Sequence, residues 1–577
     1  LTGGDLVVRM LREYDVRDVF GLPGDTSLSL YDAMARDAGI RHILVRDERS
    51  AAYMADGYAR VTGRVGVCEG PSGGGALYIS PGVAEADGSR VPVVCLASDT
   101  SLASEDRGSL TALDQTSMFS RMTRFTTRVV MPEKIPETIR RAFRCATGSR
   151  QGASHVALPE NVLSADVDST QCEPLVYAEP DHSHFPSRRY LPVQEDLRMA
   201  ASLISSSERP LVLCGGGVHL SGAYVQVRKF VEKTSIPVVT SLNGKGSVDE
   251  NHPFALGVVG TTGGKGASNK AVEEADLIIV LGSRLNSSTT AGPVFLGKPK
   301  RTVQVDCDVM QIGNTQRVDV GLVGDIAATL DVLLEMVEIP GVAGHRQAWV
   351  ARCRARVQEE MESYEGLMRC EISPLRPHRI VRALERALPA ETVIVYDAGT
   401  PAPYLAALYR PRSAGRVAVS GRAHGSLGYA IPAAVGAKVG RPDLPVVALF
   451  GDGSFEMSVS EIETVARLNI PVIMVCMRNG MYGWIKCLQQ LYYQNRFFGV
   501  DFGHKGDYCD VARAYGLAAC RPESGVEVEK ALARAVDSGQ PYFIDVPTEP
   551  MTDRVPPVRA WQRDMCKPES ERIRRSY

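Results

Sequence analysis

The sequence predicts an α/β fold of three doubly wound domains, each built on a parallel sheet. Three observations carry this expectation. Short apolar runs alternate with amphipathic stretches along most of the chain, the pattern of strand-helix-strand units. Several of those runs end in glycine-rich turns, as at Gly73-Gly74-Gly75, Gly215-Gly216-Gly217 and Gly451-Asp452-Gly453, and in such folds ligands bind at the carboxyl ends of the strands. Finally, 577 residues exceed what a single hydrophobic core supports.

Residues 1–165 read as the first unit. Asp5 to Tyr14 is an amphipathic helix and Asp18 to Phe20 a short strand, which Gly21-Leu22-Pro23-Gly24-Asp25 cannot continue. A strand from His42 to Val45 leads through Arg46-Asp47-Glu48 into a helix from about Ala51 to Val61. Taken alone, Glu48 is a helix-start acid complementing the macrodipole. Strands Val65 to Cys68 and Val91 to Ala97 flank the next glycine turn, and Leu113-Asp114-Gln115 sits in a loop before the strand-like TRFTTRV. Residues 166–193, with Pro174, Pro180 and Pro186, read as a linker. Residues 194–340 form the second unit, with strands Pro210 to Cys214, Pro237 to Thr240, Leu277 to Leu281 and Thr302 to Val305. Its Gly215-Gly216-Gly217 resembles a nucleotide-binding turn but lacks the full G-x-G-x-x-G. Residues 341–376 read as an Arg/Glu-rich helical connection with a solvated face.

Residues 377–550 form the third unit. Strand Val393 to Tyr396 runs into Asp397-Ala398-Gly399-Thr400, whose backbone N–H groups can meet a phosphate at a following helix start. Gly421 to Tyr429 precedes a small-residue helix, Trp484 to Phe502 is an aromatic-rich cover, and strand Tyr542 to Val546 closes the unit. Residues 551–577, with Pro556-Pro557 and a basic end, read as a loosely ordered arm.

The densest chemistry lies between Pro445 and Gly483. An apolar strand, Val446 to Phe450, breaks at Gly451-Asp452-Gly453; Ser458-Val459-Ser460-Glu461 then has the form of a capping box, with Ile462, Val465 and Leu468 at helical spacing behind it. A second strand, Ile470 to Met477, ends at Asn479-Gly480. This unit brings Asp452 and Asn479 to one sheet edge. A carboxylate and an amide oxygen at a glycine-rich turn are hard ligands suited to Mg²⁺, which completes its shell with phosphate and water. A helix-capping Asp and a strand-closing Asn are the plainer alternative, but the whole ordered constellation favours a metal-diphosphate site.

That stretch resembles the thiamine diphosphate motif of the acetolactate synthase and benzoylformate decarboxylase superfamily. Residues 46–63, RDERSAAYMADGYARVTG, resemble a second segment of the same superfamily. The resemblance implies that Asp452, Asn479 and the carbonyl of Met481 hold Mg²⁺. It implies that Glu48 hydrogen-bonds N1′ of the aminopyrimidine. Gly24, Gly399, Thr400, Gly451, Gly453, Ser454, Tyr482 and Gly483 would line the cofactor, with Leu427 beneath its bend and the Gly425 carbonyl accepting from its 4′-amino group. Gln115, in a triplet that several relatives share, would point toward substrate, and His424 would serve as acid or base. One departure is visible: the motif commonly ends in two asparagines, and here the first is Arg478. In some relatives the central domain holds FAD, with stretches 260–264, 282–284 and 306–308 here standing where such contacts would fall, and in others it holds ADP or no nucleotide.

The implied activity is a carboligase of the acetolactate synthase type, decarboxylating a 2-oxo acid and passing the acyl group to a second carbonyl. Plain decarboxylation and acyl transfer to phosphate are the alternatives, and 2-oxo acids or aldehydes the substrates. A homodimer or homotetramer with sites at the subunit interface also follows from the resemblance. Composition agrees: a net charge of −2 offers nothing to nucleic acid or anionic lipid, and no apolar run reaches bilayer length. Thirteen scattered cysteines without a C-x-x-C pair suit a reducing cytoplasm.

Overall fold

A computed structural model describes residues 1–290, 300–339, 341–503, 506–572 and 574. It contains three six-stranded sheets, and the strand pairings described in them are parallel. Strands β1 (Asp18–Gly21), β2 (Arg41–Leu44), β3 (Gly66–Gly70), β4 (Val93–Asp99), β5 (Phe125–Arg128) and β6 (Ala153–Pro159) lie in the order β2-β1-β3-β4-β6-β5. The central sheet orders β7 (Pro210–Cys214), β8 (Val238–Thr240), β9 (Ala255–Val258), β10 (Leu277–Leu281), β11 (Arg301–Asp306) and β12 (Val320–Val323) as β12-β11-β10-β7-β8-β9. The third orders β13 (Val393–Tyr396), β14 (Ala418–Val419), β15 (Val446–Gly451), β16 (Val472–Arg478), β17 (Ala518–Cys520) and β18 (Tyr542–Pro547) as β14-β13-β15-β16-β18-β17. The expected three α/β domains with parallel sheets are all present.

The chain divides into two compact units. The first comprises residues 1–188 with 421–443 and 457–472, so two helices from late in the sequence, Ala430–Gly440 and Glu461–Leu468, pack with the amino-terminal sheet. The helix Glu48–Thr62 is buried along almost its whole length. Its crossing with Ala430–Gly440 explains the small residues of both. A Cβ at Gly57 would sit 2.1 Å from the carbonyl oxygen of Ala433, and one at Gly436 would sit 1.9 Å from that of Met54. Such a close crossing leaves no room for side chains, so charges buried at it must satisfy one another. Arg60 donates to Asp56 at 2.7 Å, and the Tyr429 hydroxyl donates to the same carboxylate.

The expected capping box at 458–461 does not form. A helix already runs over Asp452–Ser458, and Ser460 makes no capping hydrogen bond through its side chain. The Glu461 carboxylate accepts instead from the backbone N–H of Arg46 (3.0 Å) and the hydroxyl of Thr464 (2.8 Å). A fully buried carboxylate requires donors, and the sheet-end backbone supplies the stronger claim.

The second unit holds the other two sheets. The connection after the central domain is a long helix, Ala343–Met368, and its role exceeds the solvated face expected of it. Trp349 donates to the carbonyl of Pro210 at 3.0 Å, and the buried Arg346 guanidinium satisfies the carbonyls of Ser207 and Thr234. The carboxylate of Glu360 accepts from Gly266 (2.9 Å) and Ala267 (2.7 Å), the first backbone donors of the helix Gly266–Glu274. The carboxyl-terminal segment also departs from the loose arm expected. Met551, Val558 and Trp561 belong to the third domain's core, and the Trp561 ring lies 4.3 Å from that of Trp484. A fully buried indole outweighs the polar character of the residues around it. Trp561→Ala is therefore expected to cost about 3–5 kcal/mol, read as a lowered denaturation midpoint of the domain carrying the third sheet; an unchanged midpoint would show the segment to be dispensable.

Candidate active site

The expected site residues fall into two groups, one in each compact unit. In the first, Asp47 caps the helix Glu48–Thr62 through the N–H of Arg49, which makes Glu48 the first helical residue. Its carboxylate points to glycines: a Cβ at Gly75 would lie 3.1 Å from Glu48 Oε1, and one at Gly70 would lie 3.6 Å from Cγ. Glu48 is 7% exposed, and burial, reinforced by the neighbouring Asp47, raises its pKa. A carboxyl so placed holds its proton more readily than one in water. Gly24 packs on Pro71, where a Cβ would meet the proline ring at 2.4 Å.

Gln115 is buried rather than surface-borne, and both ends of its amide are engaged. Nε2 donates to the Ser98 carbonyl at 2.8 Å, and Oε1 lies 3.2 Å from His155 Nε2. Burial holds that histidine neutral by lowering its pKa to about 3. His424, Gly425 and Leu427 lie on the loop before the helix Ala430–Gly440, with His424 and Gly425 exposed and Leu427 half-buried. The loop is fixed by Glu85, whose carboxylate accepts from the N–H groups of Ala423 (2.9 Å) and His424 (3.0 Å). Gly425 has a φ of +69° and open space at its Cβ position, so its backbone stands free.

The second unit carries the rest. Asp452 opens a helix directly at the end of β15 and is 2% exposed. Its Oδ2 accepts from the N–H of Asn479 at 2.7 Å, joining the ends of two neighbouring strands. Burial raises the pKa of Asp452 despite the donors from Asn479 and Gly480, so the ionised form lacks full compensation here. Among the described residues the buried Asn479 side-chain nitrogen has no hydrogen-bond partner. A Cβ at Gly483 would fill the space between Asn479 Nδ2 (3.2 Å), Thr400 Oγ1 (3.3 Å) and Met551 Sδ (3.5 Å). Gly399, at a φ of +88°, opens onto free space, and Gly451 is nearly as open. Gly453 admits the Tyr482 ring, which a Cβ would strike at 2.4 Å; that ring rests edge-on against Phe502. Met481 pairs with Asp501, and Tyr482 N–H donates to the Val500 carbonyl at 2.8 Å, so the turn after Asn479 is held from outside. Ser454 is buried in the same helix start. Arg478, the departure from the motif, forms an ion pair with Asp545 at 3.2 Å and donates to the Gly506 carbonyl, a packing role.

The site fits a divalent cation carrying a diphosphate: one dry carboxylate for the cation, one side-chain NH2 uncommitted among the described residues for a phosphate oxygen, and glycines that keep the space clear. The central domain reads differently. A Cβ at Gly215 would lie 2.3 Å from the Gly282 carbonyl oxygen, and one at Gly217 would lie 2.6 Å from the Gly282 Cα. Contact between the ends of β7 and β10 thus accounts for the glycine turn without a nucleotide. Asp306 and Asp308 accept from backbone N–H groups of their own loop.

Sequence comparison bears on the same segments. Residues 1–118 match the thiamine pyrophosphate enzyme N-terminal TPP binding domain, 197–333 the central domain, and 397–546 the C-terminal TPP binding domain. The chain belongs to the thiamine pyrophosphate enzyme family. Among its relatives, the probable acetolactate synthase large subunit of Methanocaldococcus jannaschii is 32% identical across 100% of this chain and 98% of its own length. The acetolactate synthase isozyme 2 large subunit of Escherichia coli is 30% identical, covering 95% of each chain. The protein is thus an acetolactate synthase-like, thiamine diphosphate-dependent enzyme. No described helix is long and apolar enough to cross a membrane.

Sequence reasoning passed over Glu85 and Glu69. The one signal for Glu69 is a carboxylate inside the otherwise apolar run Val67-Cys68-Glu69-Gly70. Gly483→Ala is expected to place a methyl group between Asn479, Thr400 and Met551 and, if this space is the diphosphate cradle, to weaken cofactor binding about tenfold in a titration at saturating Mg²⁺. Wild-type affinity would show that the cradle lies elsewhere.

Proposed function

We propose that the enzyme is a Mg²⁺-dependent carboligase of the acetolactate synthase type, which decarboxylates a 2-oxo acid and joins the acyl group to a second carbonyl. The buried pair of Asp452 and Asn479 supports this reading most directly, since a desolvated carboxylate suits a divalent cation and an Asn479 side-chain NH2 without a partner among the described residues suits a phosphate oxygen carried by it. Thiamine diphosphate, when bound, supplies the carbon acid that adds to the oxo acid and the electron sink that releases CO₂.

The chain's own residues do the rest. Asp452, Asn479 and the Met481 carbonyl would hold the cation, and Gly399, Thr400 and Gly483 leave room for the diphosphate. Glu48, in its dry glycine-lined niche, holds a proton at the pyrimidine N1′ and returns it. Leu427 supplies apolar bulk, and the free carbonyl of Gly425 accepts from the 4′-amino group. His424, exposed on a loop that Glu85 anchors, is positioned to move protons on the substrate side. Gln115 acts from behind, through its bonded amide. The active assembly is a homodimer or homotetramer with sites at the subunit interface, in a reducing cytoplasm where its thirteen free thiols persist.

Incubation with thiamine diphosphate, Mg²⁺ and pyruvate in phosphate buffer, with products read by mass spectrometry, tests the reading. Acetolactate is the expected product. Acetaldehyde alone would reassign the enzyme as a decarboxylase, and acetyl phosphate would reassign it to acyl transfer. Two variants test the residues. Glu48→Gln is expected to retain the cofactor yet slow exchange of its C2 proton by about 10²–10⁴-fold; normal exchange would remove Glu48 from this role. Asp452→Ala is expected to abolish Mg²⁺-dependent retention of the cofactor on gel filtration, and normal retention would take Asp452 out of the metal site.

A further inference from the structure

Glu69, at the end of β3, is fully buried and belongs to no ion pair among the described residues. Its Oε2 accepts from the Tyr31 hydroxyl at 2.7 Å, and its Oε1 has no hydrogen-bond partner among the described residues, the nearby Ser27 hydroxyl donating to the Gly24 carbonyl. The same hydroxyl lies 3.0 Å from Nε2 of His42, a half-buried residue whose ring meets the Tyr31 ring edge-on at 4.8 Å. Glu69 therefore sits at the inner end of a hydrogen-bonded chain, Glu69–Tyr31–His42, that reaches the surface.

Its position relative to Glu48 is marked by glycines. Gly21 makes room for Glu69, since a Cβ there would lie 2.9 Å from Oε2; Gly70, the next residue along, makes room for Glu48 Cγ. The charge of Glu48 reaches both Glu69 and Tyr31 and opposes ionisation of each. Two carboxyls share one dry region, and no described cation pairs with either.

We propose that Glu69 is a neutral carboxylic acid standing behind Glu48, which keeps that region at a single negative charge and equilibrates with solvent through Tyr31 and His42. The proposal rests on the reading that Glu48 serves the cofactor's pyrimidine. Glu69 touches neither cofactor nor substrate and acts as a positioning residue. Burial pushes its pKa up to about 8, the hydroxyls of Tyr31 and Ser27 opposing that rise and the Glu48 charge adding to it. The other groups facing the chain are Cys95 on β4, itself buried, and Arg467, which together with burial holds His42 neutral at about 4.

A proton lost from Glu69 leaves by a balanced relay. The Tyr31 hydroxyl turns from Glu69 toward His42 as the acid donates to the Tyr31 oxygen; the Tyr31 hydrogen then passes to His42 Nε2, and His42 releases its Nδ1 proton to water. Once Glu69 is ionised, the second negative charge makes Glu48 hold its own proton too tightly to share it. Activation should therefore fail as pH rises through about 8. The stability sign agrees: a carboxyl raised from 4.5 stabilises the fold fully below 4.5, and that contribution is lost as pH rises to about 8.

An infrared pH titration of the apoprotein provides the direct test. The expected result is a buried carboxylic-acid band that disappears with a midpoint near 8, is absent in Glu69→Gln, and moves to higher pH in Tyr31→Phe, which removes the stronger of the two hydroxyls, Tyr31 and Ser27, that favour the ionised form. A band unchanged in Glu69→Gln, or none titrating there, would overturn the proposal. In the holoenzyme, C2-proton exchange should fall about tenfold per pH unit above the midpoint in wild type, and Glu69→Gln should lose that fall while matching wild type at neutral pH. The same alkaline fall in Glu69→Gln overturns the proposal even where Glu48→Gln abolishes exchange. Normal exchange in Glu48→Gln instead overturns the reading beneath it. Should Glu69→Gln fail to fold, Tyr31→Phe decides: an unshifted midpoint is evidence against the chain.

Discussion

Carboxylates held out of water constrain this molecule more than any other feature. Asp452, Glu48, Glu69, Glu85 and Glu461 are all nearly or wholly inaccessible, and each must find donors, a proton or a cation. Glu85 and Glu461 find backbone N–H groups and become structural anchors. Asp452 finds two backbone donors that do not suffice, which leaves capacity for a metal. Glu48 and Glu69 lie where no described cation reaches, so one proton, held on Glu69, leaves the pair a single charge. The same physical requirement, met in different ways, separates scaffold from chemistry.

Glycine is the other half of the arrangement. At Gly57 and Gly436 its absence of a side chain lets two helices touch backbone to backbone. At Gly21, Gly70 and Gly75 it opens space for carboxyls, and at Gly399 and Gly451 it leaves the ends of two strands uncovered. Where the central domain repeats the glycine pattern, at Gly215 and Gly217, the neighbouring strand end fills the space. A glycine turn thus has opposite meanings according to whether the vacated volume is occupied by the chain itself.

Much of this was legible locally. The alternation of apolar runs and helices gave three sheets because strand patterning and helix patterning are short-range properties. The link between Asp452 and Asn479 followed from one contiguous strand-helix-strand unit. Reasoning failed where a distant partner decided the outcome. Ser458 to Glu461 spells a capping box, but Arg46, 415 positions away, claims the glutamate. Glu360 and Arg346 read as surface charges on a connecting helix, and only tertiary structure supplies the backbone groups they satisfy. Trp561 was hidden by polar neighbours in a segment without periodicity.

The central question for such an enzyme is how a glutamate stays both dry and mobile in its protonation. Burial alone raises the pKa of Glu48, but a second buried carboxylate beside it would defeat the arrangement if it too were ionised at neutral pH. Tyr31 donates to one Glu69 oxygen and the other has no hydrogen-bond partner among the described residues, a partition that permits protonation and still connects the proton to water through His42. Replacing Glu69 with leucine would preserve the dry wall and remove the proton store. Keeping a carboxyl there means that the charge near Glu48 depends on pH by construction, and the glutamate's neighbour, not the glutamate alone, sets the alkaline limit of the chemistry.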